Sequence, residues 1–175
     1  MRLFIAIEVP PPVGPTDAEP PHAAPEHLTL RFLGEVSPNR VPGLKRALEE
    51  VAHKSPAFDL ILEGVGAFPS ADRPRVVWIG ATEGRTEAAE LAERIATAIG
   101  PEDPRTSHES FVPHLTLFRV RSPGQRRRAL ALLSGSETPP PPRSVHVGEI
   151  CLKESTLTPS GAVHRTVAKW SLTGA

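Results

Sequence analysis

Two histidines and two threonines have the residue types and spacing for acid–base chemistry on a phosphate ester. His27-Leu28-Thr29-Leu30 recurs as His114-Leu115-Thr116-Leu117, about half a chain length later in 175 residues. Side chains alternate between the two faces of an extended strand. His27 and Thr29 are therefore expected on one face, with Leu28 and Leu30 pointing into a core, and His114 and Thr116 repeat the arrangement. Two such strands side by side would gather two imidazoles and two hydroxyls around one cleft. Imidazole can serve as acid or base because its unperturbed pKa is about 6.5. In an in-line attack of water on phosphorus, one histidine would take the water proton and the other would give a proton to the departing oxygen. Thr29 and Thr116 would offer donors to the phosphoryl oxygens. Such a scheme needs no metal and no cofactor.

Neighbouring residues extend the set. Phe32 and Arg119 stand five residues past each histidine. Strand parity places them on the face opposite the imidazoles, so Phe32 is expected in the core rather than as a base-stacking platform. Arg119 is expected at a strand end, reaching solvent or the phosphate. Arg31 and Phe118 share the histidine faces by the same parity, Arg31 to meet a phosphate and Phe118 to stack on a nucleobase. Arg121, Arg126, Arg127 and Arg128 join Arg119 in a basic cluster with two readings, a solvated helix face or a track for an RNA backbone. His22, His53, His108, His146 and His164 read as surface or structural residues. Metal-binding spacings such as His-Glu-x-x-His or paired cysteines are absent. So are Gly-x-Ser-x-Gly and the Gly-Lys-Ser/Thr phosphate loop.

The elements that must position these groups follow from patterning. Strands are expected at Leu3–Val9, His27–Leu33, Phe58–Val65, Arg75–Gly80, Phe111–Val120, Val145–Lys153 and Val163–Leu172. Helices are expected from Pro38 to about Lys54, with Ser37 as N-cap, over Thr86–Ile99 before Gly100-Pro101, and over Gln125–Leu133. Seven prolines between Pro10 and Pro25 forbid helix and central strand there. The order predicts an α+β fold with mainly antiparallel sheet. The single recurrence predicts one domain, 1–175, of two pseudo-symmetric lobes.

Lys plus Arg and Asp plus Glu are both 20, so formal net charge is zero and any nucleic-acid contact is expected to be local. The lone Cys151 cannot form an internal disulfide and is expected to fill core in a reducing compartment. No apolar run is long enough to cross a bilayer, and the N-terminal run lacks a signal-peptide pattern. A soluble, cytoplasmic monomer is expected. Arginine dominates over lysine, tyrosine is absent, and Asn39 and Gln125 are the only side-chain amides. A thermophilic origin and a GC-rich genome both fit this bias.

At these residues the chain resembles the two-histidine (2H) phosphoesterases, specifically the RNA 2′,3′-cyclic phosphodiesterases also called 2′-5′ RNA ligases. Besides the paired His-x-Thr-x motifs, the likeness runs through the N-terminal MRLFIAIEVP, Gly34-Glu35-Val36, Gly66-Ala67-Phe68-Pro69, Pro74 to Gly80, Phe111-Val112-Pro113, Glu154-Ser155-Thr156-Leu157 and Trp170-Ser171-Leu172. It implies a bilobal fold of two mainly antiparallel sheets with outer helices and a central cleft. It further implies hydrolysis of a terminal 2′,3′-cyclic phosphate, on RNA or a small cyclic nucleotide, to a 2′-phosphomonoester. Carried over, His27 is the donor to the 3′ oxygen, His114 the acceptor from water, and Thr29 and Thr116 the phosphate-binding positions. The reverse reaction would join RNA ends by a 2′-5′ bond, and the other alternative is a nucleotide-binding module of the same fold with little catalysis. Two departures stand out. A helix usual in relatives between the first strand and the first motif is replaced by the proline-rich segment. Where relatives tend to carry Gly-x-x-Tyr, this chain has Gly161-Ala162-Val163-His164, so the resemblance implies a tyrosine contact that is missing or replaced by His164.

Overall fold

Leu3 to Ile7 is apolar at every position, the pattern of a strand covered on both faces. In the computed structural model, which describes residues 1–10, 26–100, 111–159 and 161–174, this run is buried throughout and forms part of β1 (Arg2–Val9). The remaining strands are β2 (Glu26–Glu35), β3 (Phe58–Phe68), β4 (Val76–Glu83), β5 (His114–Arg119), β6 (Arg143–Val147), β7 (Glu149–Thr158) and β8 (Gly161–Ser171). Helices are α1 (Val41–His53), α2 (Arg85–Ile99) and α3 (Pro123–Leu133), with a 3-10 turn at Pro38–Arg40 leading into α1. His22, His108 and most of the proline-rich segment lie outside the described residues.

The α+β class and antiparallel pairing hold, but the expected two sheets are one. Eight strands join in the order β6-β3-β4-β5-β2-β1-β7-β8, and all their pairings are antiparallel. The halves β6-β3-β4-β5 and β2-β1-β7-β8 meet at β2–β5, where only Leu28↔Leu115 is in register. That single ladder pair makes the two expected sheets continuous.

The sheet also curls. β6 and β7 are separated in the chain only by Gly148, yet they are first and seventh in strand order. Six inter-strand steps of about 4.8 Å would hold them about 29 Å apart in a flat sheet. The link from Val147 to Glu149 reaches about 7 Å, so the sheet must bend round to bring these ends together. Arg143 of β6 reinforces the closure by donating to the Glu26 carboxylate at the start of β2 and to the Pro10 carbonyl. Gly148 likewise divides the strand expected over Val145–Lys153.

One face of the sheet carries the main core. Ile5, Ile7, Leu28, Leu60, Leu62, Ile79, Leu115, Ile150 and Leu152 pack with Leu48 and Val51 of α1 and with Leu91 and Ile95 of α2. A smaller cluster of Val77, Ala129 and Leu132 seats α3. The helices begin close to where patterning placed them. Ser122 caps α3 by accepting from the Gln125 amide at 3.2 Å, whereas Ser37 makes no side-chain cap bond. Cys151 is buried as expected, and burial pushes its thiol up to about 11. No helix among the described residues is long and apolar enough to cross a membrane.

Candidate active site

The Leu28↔Leu115 pair fixes how the two motifs meet. Both leucines are buried in the core, at 0% and 1% exposure. Their neighbours in sequence therefore point to the other face of the sheet. Continued one antiparallel step to either side, that register would bring His27 opposite Thr116 and Thr29 opposite His114. All four groups thus share one face at the joint between the halves, and the two histidines are diagonal neighbours.

The next residues depart from simple parity, and they do so in both copies. Between β1 and β2 the pairing passes from Ala6↔Thr29 to Ile5↔Arg31, leaving Leu30 as an extra residue, and a second shift leaves out Leu33. Between β4 and β5 it passes from Trp78↔Thr116 to Val77↔Phe118, leaving out Leu117. The bulge falls at the last leucine of each tetrapeptide. An extra residue reverses the facing of everything after it. Directly paired residues share a face, so Arg31 goes with buried Ile5, on the core side. Its Nε is buried without a hydrogen-bond partner. Phe118 goes with Val77 in the cluster under α3, where the Arg128 guanidinium lies 5.3 Å over its ring. Arg31 and Phe118 therefore do not share the histidine face.

Phe32 and Arg119 turn the other way. Phe32 is not core but 53% exposed, paired with Phe4, with ring centroids 6.0 Å apart. Phe4 in turn packs against His27 at 5.0 Å, so Phe32 belongs to the histidine side. Arg119 is exposed at the end of β5 and lies close enough to act electrostatically on His114. The rest of the basic cluster is exposed, and Arg128 also pairs with Glu137 at 3.0 Å.

Each imidazole has its own surroundings. The Nδ1 atom of His114 lies 2.7 Å from the Val112 carbonyl. A carbonyl can only accept, so Nδ1 carries the ring proton and Nε2 presents a lone pair. Phe68 meets this ring edge to face at 4.9 Å, and Trp78 lies at 5.8 Å. The indole sits over Gly66, where a Cβ would come within 2.1 Å of it, which is why β3 needs glycine there. Burial pulls the His114 pKa below its usual 6.5. The Val112 hydrogen bond opposes the fall and the Arg119 cation adds to it.

His27 packs against Phe4 and, edge to face at 4.9 Å, against His164 of β8. Beside them runs a polar chain. The Lys153 ammonium, on a side chain 4% exposed, donates to Glu8 at 2.6 Å and to Thr166 at 2.9 Å. Lys169 bridges Glu8 and Glu149. Burial alone would raise the Glu8 pKa, but the lysine hydrogen bonds outweigh it and hold the carboxyl at about 2. Glu8, Glu149 and Cys151 bring possible ligand atoms within 4.8 Å of one another. The Lys169 ammonium already occupies the two carboxylates, so this group does not suit a metal.

Phe4, Phe68, Trp78 and Glu8 escape a reading of the motifs because they arrive from neighbouring strands, and Glu8, an acid in the apolar run of the first strand, is the local signal among them. His164, expected at the surface or in a structural role, instead lies against His27, and its signal was its place in Gly161-Ala162-Val163-His164. His53 and His146 lie elsewhere, bonded to Thr173 at 3.0 Å and to Asp59 at 2.7 Å.

A family model described as 2′-5′ RNA ligase superfamily matches residues 17–157. The chain belongs to that superfamily. Within it the chain falls among the RNA 2′,3′-cyclic phosphodiesterases: a protein of that name from Aquifex aeolicus is 34% identical over 155 residues, 85% of this chain and 78% of the relative. A crystal structure from Thermus thermophilus superposes with a TM-score of 0.73 at 28% identity, covering 99% of both chains. Escherichia coli LigT complexed with 3′-AMP superposes with a TM-score of 0.71 at 29% identity, covering 98% of both. In this chain the two copies of the motif meet where the halves of the sheet join.

Proposed function

We propose that this chain hydrolyses a 2′,3′-cyclic phosphate at an RNA end, or on a small cyclic nucleotide, to the 2′-phosphomonoester. His114 takes a proton from the attacking water through Nε2. The new P–O bond forms as the bond to the 3′ oxygen breaks, and His27 delivers a proton to that oxygen. The histidines end with their protonation states exchanged, and solvent restores them. Thr29 and Thr116 donate to the phosphoryl oxygens, and Arg119 offers a cation to the same anion. Arg31 and Phe118 have no part, because the bulges turn them toward the helices. We read the two halves as related lobes of one domain, each bringing one imidazole.

The observation that supports this reading best is the joint itself, where Leu28↔Leu115 sets His27, Thr29, His114 and Thr116 on a common face. The depressed His114 pKa suits a base that must be neutral, and the nucleotide-bound LigT supports a nucleotide substrate class. Incubation of an oligonucleotide ending in a 2′,3′-cyclic phosphate, with EDTA present, tests the reaction. A 2′-phosphate product is expected, and a 3′-phosphate or no turnover would refute the reading. Adding an RNA with a 5′-hydroxyl to the same assay would reveal any reverse, 2′-5′ joining reaction at this site.

A further inference from the structure

A general acid works only if the proton resides on the ring that faces the leaving group. His27 shares its surroundings with a second imidazole. The His164 ring meets it at 4.9 Å and 84°, and Phe4 contacts both rings at 5.0 Å. Two imidazoles in contact resist carrying two positive charges, so their titrations are linked.

The groups around His164 decide which ring takes the proton. From β7 come Ser155, its ladder partner, and the Lys153 ammonium two residues away. From its own strand come Thr166 and Lys169, and from β2 comes His27. The nearby acid on β1 is Glu8, and its carboxylate is already engaged by Lys153, Lys169 and Thr166. The Nδ1 atom of His164 is buried and has no hydrogen-bond partner. A bare buried nitrogen is least costly as an unprotonated acceptor, which leaves the ring's single proton on Nε2. A second proton would place an unpaired N–H of a cation out of water, near an ammonium.

On the reading of His27 as proton donor, we propose that His164 is a positioning residue: an imidazole that stays neutral where His27 is protonated, braces the His27 ring edge to face and leaves the shared proton on His27. Burial and the Lys153 charge both hold its pKa below 6.5, in agreement with this role. The acid-side pocket then contains two histidines with divided duties. One carries the proton, and the other fixes the ring that carries it.

Ring-proton NMR titration of the intact protein, with signals assigned through His27→Ala and His164→Phe, reads the proton's location directly. His27 is expected to titrate at higher pH than His164. In kinetics with a 2′,3′-cyclic nucleotide, His164→Ala should lower kcat about tenfold with KM within about twofold, because a misplaced acid loses alignment rather than binding. His164→Phe keeps a ring and removes the titration, and should restore kcat to within about threefold with an unchanged pH profile. Titration of His164 at or above His27 would overturn the proposal. So would wild-type kcat in a folded His164→Ala variant, or damage in His164→Phe equal to that in His164→Ala. If the alanine variant does not fold, the titration order and the phenylalanine variant still decide. Full activity in His27→Ala would instead refute the donor assignment, and the titration order would stand apart from it.

Discussion

The two halves of the sheet present the same tetrapeptide in different company. His114 has its Nδ1 tied to the Val112 carbonyl, carbon walls from Phe68 and Trp78, and a cation in Arg119. His27 has Phe4, a second imidazole, and a Glu8–Lys153–Lys169 chain on the adjoining strands. Even the backbone matches, since Leu30 and Leu117 bulge at the same motif position. Identical local sequence therefore aims the two rings alike, and the flanking strands make them chemically unequal. One repeated string yields two unlike imidazoles because Phe68 and Trp78 on one side, and Phe4 and His164 on the other, supply different partners, the inequality that the proposed base and acid require.

The largest expected effect comes from removing either ring. His27→Ala and His114→Ala should each lower kcat/KM by about 10²–10⁴-fold, the range for a lost general acid or base. Thermal melts should stay near wild type, since both rings lie on the face opposite the main core. Equal binding of a nucleotide product by both variants would confine the loss to proton transfer.

A second test separates the halves by pH. Folded Glu8 is held at about 2, against an ordinary 4.5. A depressed carboxylate contributes stability above its unfolded pKa and loses it as pH falls through its folded value. Stability should therefore decline from about pH 4.5 toward pH 2 in chemical denaturation. In Glu8→Gln this decline should shrink. The variant should also lose up to about 3 kcal/mol at pH 7, because the buried Lys153 ammonium then lacks its carboxylate. An unchanged acid limb would remove Glu8 from the account of the first half.

The smallest effect concerns the other half. Arg119 lowers the His114 pKa, second in force to burial among the depressing influences. Arg119→Gln should move the acidic limb of the kcat/KM–pH profile upward, still below 6.5 because the cage remains. A limb that stays in place would mean the cation acts on the phosphate alone.

These comparisons show what a strand's period can and cannot convey. The facing of His27, Thr29, His114 and Thr116 was legible because alternation is local and the leucines name the buried side. The facing of Arg31, Phe32, Phe118 and Arg119 was not, because each lies beyond a bulge, and a bulge belongs to the pairing with a neighbour. The single sheet was hidden for a related reason. One ladder pair at Leu28 and Leu115 converts two four-stranded groups into one, and nothing in either strand alone announces it. Trp78 over Gly66 is similar, since the small residue is explained only when β3 and β4 are aligned. Gly148, by contrast, was visible as a residue but not as the point where the chain leaves one edge of the sheet for the far half.

The Leu28–Leu115 pair carries one more consequence. Pairing offset by a single position would turn one motif over against the other, sending one imidazole into oil and one leucine into water. Burial of two aliphatic side chains thus acts as a proofreading device. A chain that has assembled this contact correctly has, by the same act, armed its chemistry.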